Sequence, residues 1–417
     1  MRKKVLVLGG ASVHAKLVDT AHSLGLYVIV TDFLDKRDSP AKQIADEWWD
    51  IDVKDTERLT VKCRENKIAA VLSTHLDPCQ RPYFGLCNAL GLPCYGTYEA
   101  FMKMTDKQLF KEMCKRNGVG VIEEYSIDDI RSGNVSYPVF VKPVDSRGSR
   151  GQFVCRTQEE TLAAIEAAQK ESSNGKYIVE RFVENAQEVQ MTYFVIDHTP
   201  YLIRSVDSFR GRSVNMEKVV LCAISPSEST ERYLASCEGG VRKLIRELDI
   251  AFGPVFMQGF FDGAGFKFFD PGLRFPGVDF ELILKEIFKV DILESMWKYA
   301  LSGEIPKMEP PEGWWKIRGL SAAVLFPTMK AGRISGFSGL DYLERSKAVI
   351  SYSLRHSKGD EVGWSYNVNQ RYAEVDLVAD SIGELRRDIS SVQANFYPVD
   401  ESGSSLALET VVFDDRR

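Results

Sequence analysis

The sequence predicts a multidomain protein of mixed α/β and α+β class. It begins with a doubly wound parallel sheet, continues through an α+β middle section and ends in a small β-rich domain. Three observations carry this. Apolar strands alternate with helical stretches through residues 1–104. Hairpin strands and long helices share the middle of the chain. Residues after 306 read as short strands with turns and one or two helices. At 417 residues the chain is long enough for two to four domains, and 44% hydrophobic residues allow each its own core.

The first strand, Lys3–Gly9, runs into the Gly9-Gly10 turn and a helix around His14–Leu24. Tyr27–Thr31 is a second strand ending at Asp32, and Ala69–Thr74 a third, ending at His75 and Asp77. Helical stretches Thr56–Glu65 and Arg81–Leu90 fall between and after them, the alternation that builds a parallel sheet. The glycine turn could cradle a phosphate at a helix N-terminus, but the full GxGxxG is absent. Asp32 suits a ribose or a turn equally. His75 sits at a strand's C-terminal end, where such sheets place ligand contacts, although a lone histidine there is more often a structural hydrogen-bonder.

Thr105-Asp106-Lys107-Gln108 opens a helix, with Thr105 as the expected cap and Gln108 closing a capping box. Leu109, Phe110, Met113 and Cys114 follow at helical spacing. Tyr137–Lys142 is a strand ending in lysine. It leads into a loop containing Asp145-Ser146-Arg147-Gly148-Ser149-Arg150-Gly151, and Gln152–Cys155 resumes as a strand. Glycines let backbone N–H groups approach a phosphate chain and arginines add charge, while the absence of GK[ST] excludes a Walker loop. The bland alternative is a solvated basic turn.

Thr157–Lys170 is a helix, Tyr177–Val183 a strand, and Glu188–Phe194 a half-buried strand expected to pair with Tyr201–Ser208. A long helix runs from about Thr230 to Leu248. The stretch that organises the chain follows: apolar runs Val255–Phe261 and Phe266–Phe269 flank Asp262-Gly263-Ala264-Gly265, a hairpin pattern. Folded at that turn, Gln258 and Asp270 share one face, and Asp270 and Arg274 leave the strand end at i and i+4. Oxygen ligands meeting in this way suit Mg²⁺ with bound phosphate; an ordinary surface salt bridge is the alternative. Asp279–Leu301 is helical and Gly303–Pro311 a proline-bearing linker.

A net charge of -6 argues against a nucleic-acid partner, and no apolar run reaches the length of a membrane span. The eight cysteines form no CxxC pair, so reduced thiols in a cytoplasmic protein are the simplest account. The start of the chain reads as a strand rather than a signal peptide.

The order of these signals resembles the ATP-grasp superfamily, nearest to its carboxylate–amine ligases and to the biotin-carboxylase and carbamoyl-phosphate-synthetase branch. The resemblance covers about residues 1–300 and implies a Rossmann-like domain at 1–104. An ATP-grasp domain follows at 105–305, in halves 105–183 and 184–305, with a C-terminal α+β domain at 306–417. By resemblance, Lys107 and Lys142 hold the nucleotide phosphates, and the loop of Ser146, Arg147, Gly148 and Ser149 closes over them. Glu180 to Val183 is the hinge, where the Arg181 carbonyl and the Val183 N–H meet adenine. Glu188 takes the ribose hydroxyls, Gln258 and Asp270 the metal. Arg274 binds the transferred phosphate or the reacting carboxylate, so Lys142 and Arg274 carry catalysis. The implied cofactors are ATP with Mg²⁺ or Mn²⁺. The implied partners are a small carboxylate and an amine, with no nucleic acid and no membrane, and a homodimer fits the pattern.

Arg210, in Ser208-Phe209-Arg210-Gly211-Arg212-Ser213, and His75 are the substrate candidates; a solvated basic hairpin is the rival account of the first. Two departures stand out. The family pattern Glu-x-Asn-x-Arg is here Asp270-x-Gly272-x-Arg274, and the first carboxylate is Gln258. The set supplies one charge where the family supplies two, leaving one ion, or a carboxylate drawn from Asp262 or Asp279, as alternatives. The expected reaction joins an acid to an amine through an acyl phosphate. Its rivals are carboxylation through carboxyphosphate and an ATP-holding protein without turnover; an NAD-dependent enzyme is the weakest.

Overall fold

The computed structural model describes residues 2–144, 151–172, 174–184, 186–213, 216–217, 219–278, 280–365 and 367–413. In chain order the first elements are β1 (Lys4–Leu8), α1 (Ser12–Ser23), β2 (Tyr27–Asp32), β3 (Glu47–Asp50), α2 (Thr56–Asn66), β4 (Ala70–Leu72) and α3 (Asp77–Leu90). The strands form a parallel sheet in the order β3-β2-β1-β4, buried on both faces, as continuous apolar runs such as Val5–Leu8 require. β3 was not expected. It is short and carries Trp48 and Trp49 with acids on either side, so it lacks the apolar run of its neighbours.

The Gly9-Gly10 turn is filled from within. A Cβ on Gly9 would lie 2.3 Å from the His14 ring, and one on Gly10 1.8 Å from Ser39 Oγ. Asp32 accepts from Gly10 N and Leu34 N at 2.9 and 2.8 Å. The turn therefore packs against its own side chains instead of opening as a phosphate cradle, and Asp32 is a turn aspartate.

The first half of the middle section comprises α4 (Lys107–Arg116), β5 (Val139–Pro143), β6 (Phe153–Cys155), α5 (Gln158–Glu171) and β7 (Tyr177–Arg181). Its antiparallel sheet, β6-β5-β7, packs with α5 on a small core of its own around Ile130, Val139, Val141, Ile165 and Val179. The cap of α4 is Asp106, which accepts from Gln108 N and Leu109 N, where Thr105 was expected. Thr105 instead donates back to Phe101 O at 2.8 Å, so its hydroxyl is spent on the preceding helix.

The second half contributes β8 (Gln187–Ile196), β9 (Thr199–Arg210), β10 (Val220–Ser225), α6 (Glu238–Arg246), β11 (Phe252–Phe261), β12 (Phe266–Gly272) and α7 (Phe280–Phe288). Beyond it lie β13 (Ser321–Leu325), β14 (Val349–Leu354), β15 (Ala373–Ala379) and α8 (Ile382–Asn395). The strands join one sheet in the order β12-β11-β8-β9-β10-β13-β15-β14, so strands of the last hundred or so residues extend the sheet of the second half. No helix among the described residues is long and apolar enough to cross a membrane.

The N-terminal sheet and the second half share one core and are locked by polar contacts. Phe275 N donates to Thr74 O at 2.8 Å, and Trp297 Nε1 to Leu17 O at 2.9 Å. Lys16 on α1 pairs with Glu281 on α7 at 2.5 Å, and His75 Nε2 lies 3.3 Å from the same carboxylate. Burial opposes the charge on Glu281, but Lys16 and His75 outweigh it and hold the carboxyl at about 2. Burial, with His75 and Lys16 adding to it, pushes His14 down to about 3.

Both shifts destabilise the protein in acid. His14 stays neutral when folded, whereas the unfolded ring takes a proton below 6.5, so stability falls as pH drops from 6.5 towards 3. The Glu281 contribution is complete above 4.5 and is lost as pH falls from there towards 2. Urea midpoints of His14→Phe should therefore be flatter than wild type between pH 6.5 and 4.5. Glu281→Gln, which takes the carboxylate from the buried Lys16, should cost about 3–5 kcal/mol at pH 7.

Candidate functional site

Side-chain alternation along β8, β11 and β12 builds the site. Gln258 pairs with Asp270 across the hairpin, and Gln258 in turn with Gln190 on β8. With a period of two, Glu188 shares that face. The expected meeting of Gln258 and Asp270 is thus realised through direct cross-strand register. Asp262, the alternative carboxylate, is occupied in the hairpin turn, accepting from Ala264 N and Gly265 N and pairing with Lys267 at 2.6 Å. Asp279 lies outside the described residues.

α4 packs against β12 and brings Lys107 to the same place. The Asp270 carboxyl is pushed up by burial, against the pull of Lys107, Arg274 and Lys142. Lys142 is pushed down by burial, with Glu180 opposing and Lys107 and Lys111 reinforcing. Each of the expected phosphate-side cations therefore lies within electrostatic reach of one half-buried carboxylate.

Those cations are held by acids. Glu180 receives Lys142 on one oxygen and Lys111 at 3.5 Å on the other. Lys111 also bonds Glu124. The sequence reading missed Lys111, although its position four residues after Lys107 places both on one helix face. Arg274 donates to Asp77 through Nε and Nη2, at 2.5 and 2.9 Å, and to Phe275 O at 3.0 Å, with its guanidinium 4.8 Å above the Phe256 ring. Asp77 was seen only as a strand-end acid; it occupies the fork expected to meet phosphate. Glu188, buried, takes Arg210 on one oxygen and Gln258 Nε2 on the other. Gln258 has spent its N–H on this contact, and its amide oxygen remains for a cation. β7 ends at Arg181, and Phe182 N bonds Pro138 O at 2.9 Å, so Val183 lies just beyond the sheet.

Two expectations change. His75 is buried, its Nδ1 2.7 Å from Thr74 Oγ1 and its Nε2 on Glu281, so it braces the domain interface and offers no open face to a substrate. Arg210 is bound to Glu188, the acid expected to meet the ribose, which makes it that acid's partner. Ser146, Arg147, Gly148 and Ser149 lie outside the described residues.

Among the described residues no group of three or more His, Cys, Asp or Glu side chains forms a metal cluster. Asp270 with the Gln258 oxygen fits one hard cation that takes its remaining ligands from phosphate and water. A cavity of about 430 Å³ lined by Gln187, Asp207, Arg232, Phe261 and Arg386 is separate from this site. Gln187 and Phe261 stand one residue out of step with Glu188 and Phe260, so the cavity lies behind the sheet.

A small three-stranded half-domain facing the carboxylate-bearing hairpin of a larger sheet, with lysines from the first aimed at the second, defines an ATP-grasp fold. Residues 106–251 match the family described as carbamoyl-phosphate synthase L chain, ATP binding domain. The formate-dependent phosphoribosylglycinamide formyltransferase of Prochlorococcus marinus is 28% identical over 184 residues, 42% of this chain and 46% of that protein. The match thus spans less than half of the curated relative. The L-amino acid ligase of Bacillus licheniformis superposes with a TM-score of 0.75 at 16% identity, over 96% of this chain and 99% of that one. The 2-oxoglutarate carboxylase biotin carboxylase domain of Hydrogenobacter thermophilus, a dimer in complex with MgADP and bicarbonate, gives 0.75 at 19% identity, over 95% and 91%. These superpositions establish the fold.

Asp270→Asn separates site from scaffold. Removing a half-buried carboxyl whose charge its surroundings oppose should leave thermal stability unchanged or raise it by about 1 kcal/mol. Calorimetric titration should show the magnesium-dependent part of ATP binding lost. A stability loss with unchanged magnesium dependence would refute the metal assignment.

Proposed function

We propose that the protein is an ATP-dependent, ADP-forming ligase that activates a carboxylate as an acyl phosphate and joins it to an amine. The observation that carries this reading is the gathering of Lys107, Lys142 and Arg274 around Asp270, on the sheet face that also holds Glu188 and Gln258. Positive charge set about one point is what phosphoryl transfer demands, since positioning and charge neutralisation do most of the work.

In this reading the nucleotide lies between the half-domains, its adenine edge on the backbone of Arg181 and Val183 and its ribose at Glu188. Lys107 and Lys142 hold the phosphates. Asp270 and Gln258 would hold magnesium, which when bound neutralises phosphate charge. A substrate carboxylate oxygen attacks the γ-phosphorus, and the bond to the β,γ-bridging oxygen breaks, releasing ADP. The neutral amine then attacks the acyl carbon, expelling phosphate and losing its proton, to leave an amide. Water would hydrolyse the acyl phosphate, so the half-domains must close around it. Arg274 steadies the carboxylate, with Asp77 fixing its plane.

Two other readings remain distinct. Attack by bicarbonate would give carboxyphosphate, the carboxylase outcome. Gln258 and Gly272, which reduce the anionic metal ligands, favour an ATP-binding protein without turnover. ADP release from MgATP, measured with acid and amine panels and with bicarbonate, separates the three. Release only with paired acid and amine supports the ligase, and tight binding without release supports the regulator. Lys142→Ala should lower release at least about 100-fold, as loss of one preorganised charge donor does. Unchanged release would overturn the phosphate assignment.

A further inference from the structure

Alternation along β8, β9 and β11 sends Gln187, Asp207, Phe209 and Phe261 to the sheet face opposite Glu188 and Gln258, where they line the cavity of about 430 Å³. The proposed chemistry makes no use of this cavity. Its walls are graded by depth. Asp207 and Ser229 are buried, Phe209 and Phe261 half-buried, and Arg212 and Arg232 exposed. Size and lining, apolar sides with a few convergent polar groups, are those of a small-molecule site. The outer wall is pinned in place. Gln393 on α8 clasps Val411 through both backbone groups, and Glu409 accepts from Ser213 N and Oγ at 3.0 and 2.9 Å.

The deep end presents hydrogen-bond acceptors. Burial pushes the Asp207 carboxyl up to about 6, with Ser227 and the Glu228 N–H opposing, so it is ionised at neutral pH. An ionised carboxylate has no proton to give, so Ser227 Oγ donates to it, at 2.7 Å. A hydroxyl has one proton. The 2.8 Å contact between Ser227 Oγ and Ser229 Oγ is therefore donated by Ser229, whose own lone pairs stay unspent. Each Asp207 oxygen accepts once within the protein, the second from Glu228 N at 2.8 Å, and each keeps a further lone pair.

The middle is flat-sided. Gln187 pairs with Phe261, and Glu188 with Ser208, so Phe209 and Phe261 stand on either side of Gln187 in one row. Two strand spacings, roughly 10 Å, separate the roots of the rings, room for one flat group between them. The Gln187 amide leaves that gap clear, since its Nε2 is folded onto the Glu188 and Ser208 carbonyls at 3.0 and 2.9 Å. The mouth is cationic. The Arg232 guanidinium lies 5.6 Å from the centre of the Phe261 ring and has no hydrogen bond or ion pair among the described residues. Arg386 pairs with Glu228 at 3.0 Å, while its Nε is buried without a partner among the described residues.

We infer that this cavity is a second ligand site, for a small planar anion with an amino group at the end away from its charge. The amine donates to Asp207 and Ser229, the ring lies between Phe209 and Phe261, and the anion meets Arg232. Nucleoside monophosphates with an exocyclic amine have this build. Amino-substituted aromatic carboxylates are the other source of the same chemistry. The site lies across the sheet from Glu188 and Gln258 and does not rest on the ligase reading.

The test is calorimetric titration of the full chain in excess MgADP, with AMP, CMP and 4-aminobenzoate as probes. One class should bind with a Kd below about 1 mM, and the class that binds identifies the source. Removing the anion (adenosine, aniline) or the amine (purine riboside 5′-phosphate, benzoate) should weaken binding at least about tenfold, as loss of a hydrogen bond to a charged group does. Arg232 is exposed and has no ion pair to lose, so Arg232→Met should leave the melting temperature unchanged while weakening the probe about tenfold or more. Arg232→Lys should recover part of that loss. Lys142→Ala, on the far face, should leave the probe's Kd within about twofold, since distant sites act independently. The inference is overturned if no probe binds, if Arg232→Met binds as tightly as wild type, or if Lys142→Ala abolishes binding. Equal binding of the amine-free analogues overturns it as well, because the deep acceptors would then have no part in recognition.

Discussion

The register between β11 and β12 is the constraint on which the site rests. Gln258 opposite Asp270 is a consequence of hairpin geometry, and a slip of one residue would turn both to the far face. The register changes just beyond this pair, between Gln258 and Gly259, where a Cβ on Gly259 would lie 2.6 Å from Lys267 O. Only glycine fits that approach, so the same residue that admits the irregularity also protects the alignment before it. β8 carries the alignment inward and places Glu188 beside Gln258. The carboxylate row is thereby fixed by backbone pairing rather than by loops.

The charges of the site neutralise one another. Glu180 holds Lys142 and Lys111, Asp77 holds Arg274, and Arg210 holds Glu188. An isolated buried charge would cost several kcal/mol, whereas exchanging one anionic partner for another changes the count of charges little. Under the proposed function, phosphate taking Lys142 from Glu180 would be such an exchange. Each internal acid also fixes the direction of its cation beforehand, so binding spends little on ordering long side chains.

How much of this was legible in the sequence follows from range. The β11–β12 hairpin and the meeting of Gln258 with Asp270 were readable because a short turn fixes them locally. Lys107 and Lys142 were identified from their order along the chain, and the structure sets both near Asp270. What could not be read was which acid holds which base. Asp77 and Arg274 are 197 residues apart, and Lys16 and Glu281 265. No periodicity encodes such pairs. His75 was misjudged for this reason: the acid that claims it lies on a helix that the one-dimensional pattern cannot bring near. Thr105 was misjudged locally, since two candidate caps stood side by side and the hydroxyl was already spent on Phe101.

The division of cores explains how this scaffold can open and close. The N-terminal sheet and the second half share one continuous core, tied further by Lys16–Glu281 and Phe275–Thr74, and cannot part cheaply. The sheet β6-β5-β7 and α5 of the first half pack on a separate core around Val139 and Val179, whereas α4 sends Phe110, Met113 and Cys114 into the shared one. Near the site that sheet is tied to α4 by polar contacts, such as Lys111 with Glu180 at 3.5 Å. Separately packed bodies joined by a few hydrogen bonds move by hinge, because no apolar surface need be exposed. The moving body carries Lys142 and Glu180, and the fixed one Asp270, Arg274 and Glu188. Closure thus adds the lysine to a row already set by strand register. Under the proposed chemistry, positive charge and exclusion of water would then arrive together, at the stage when an acyl phosphate most needs both.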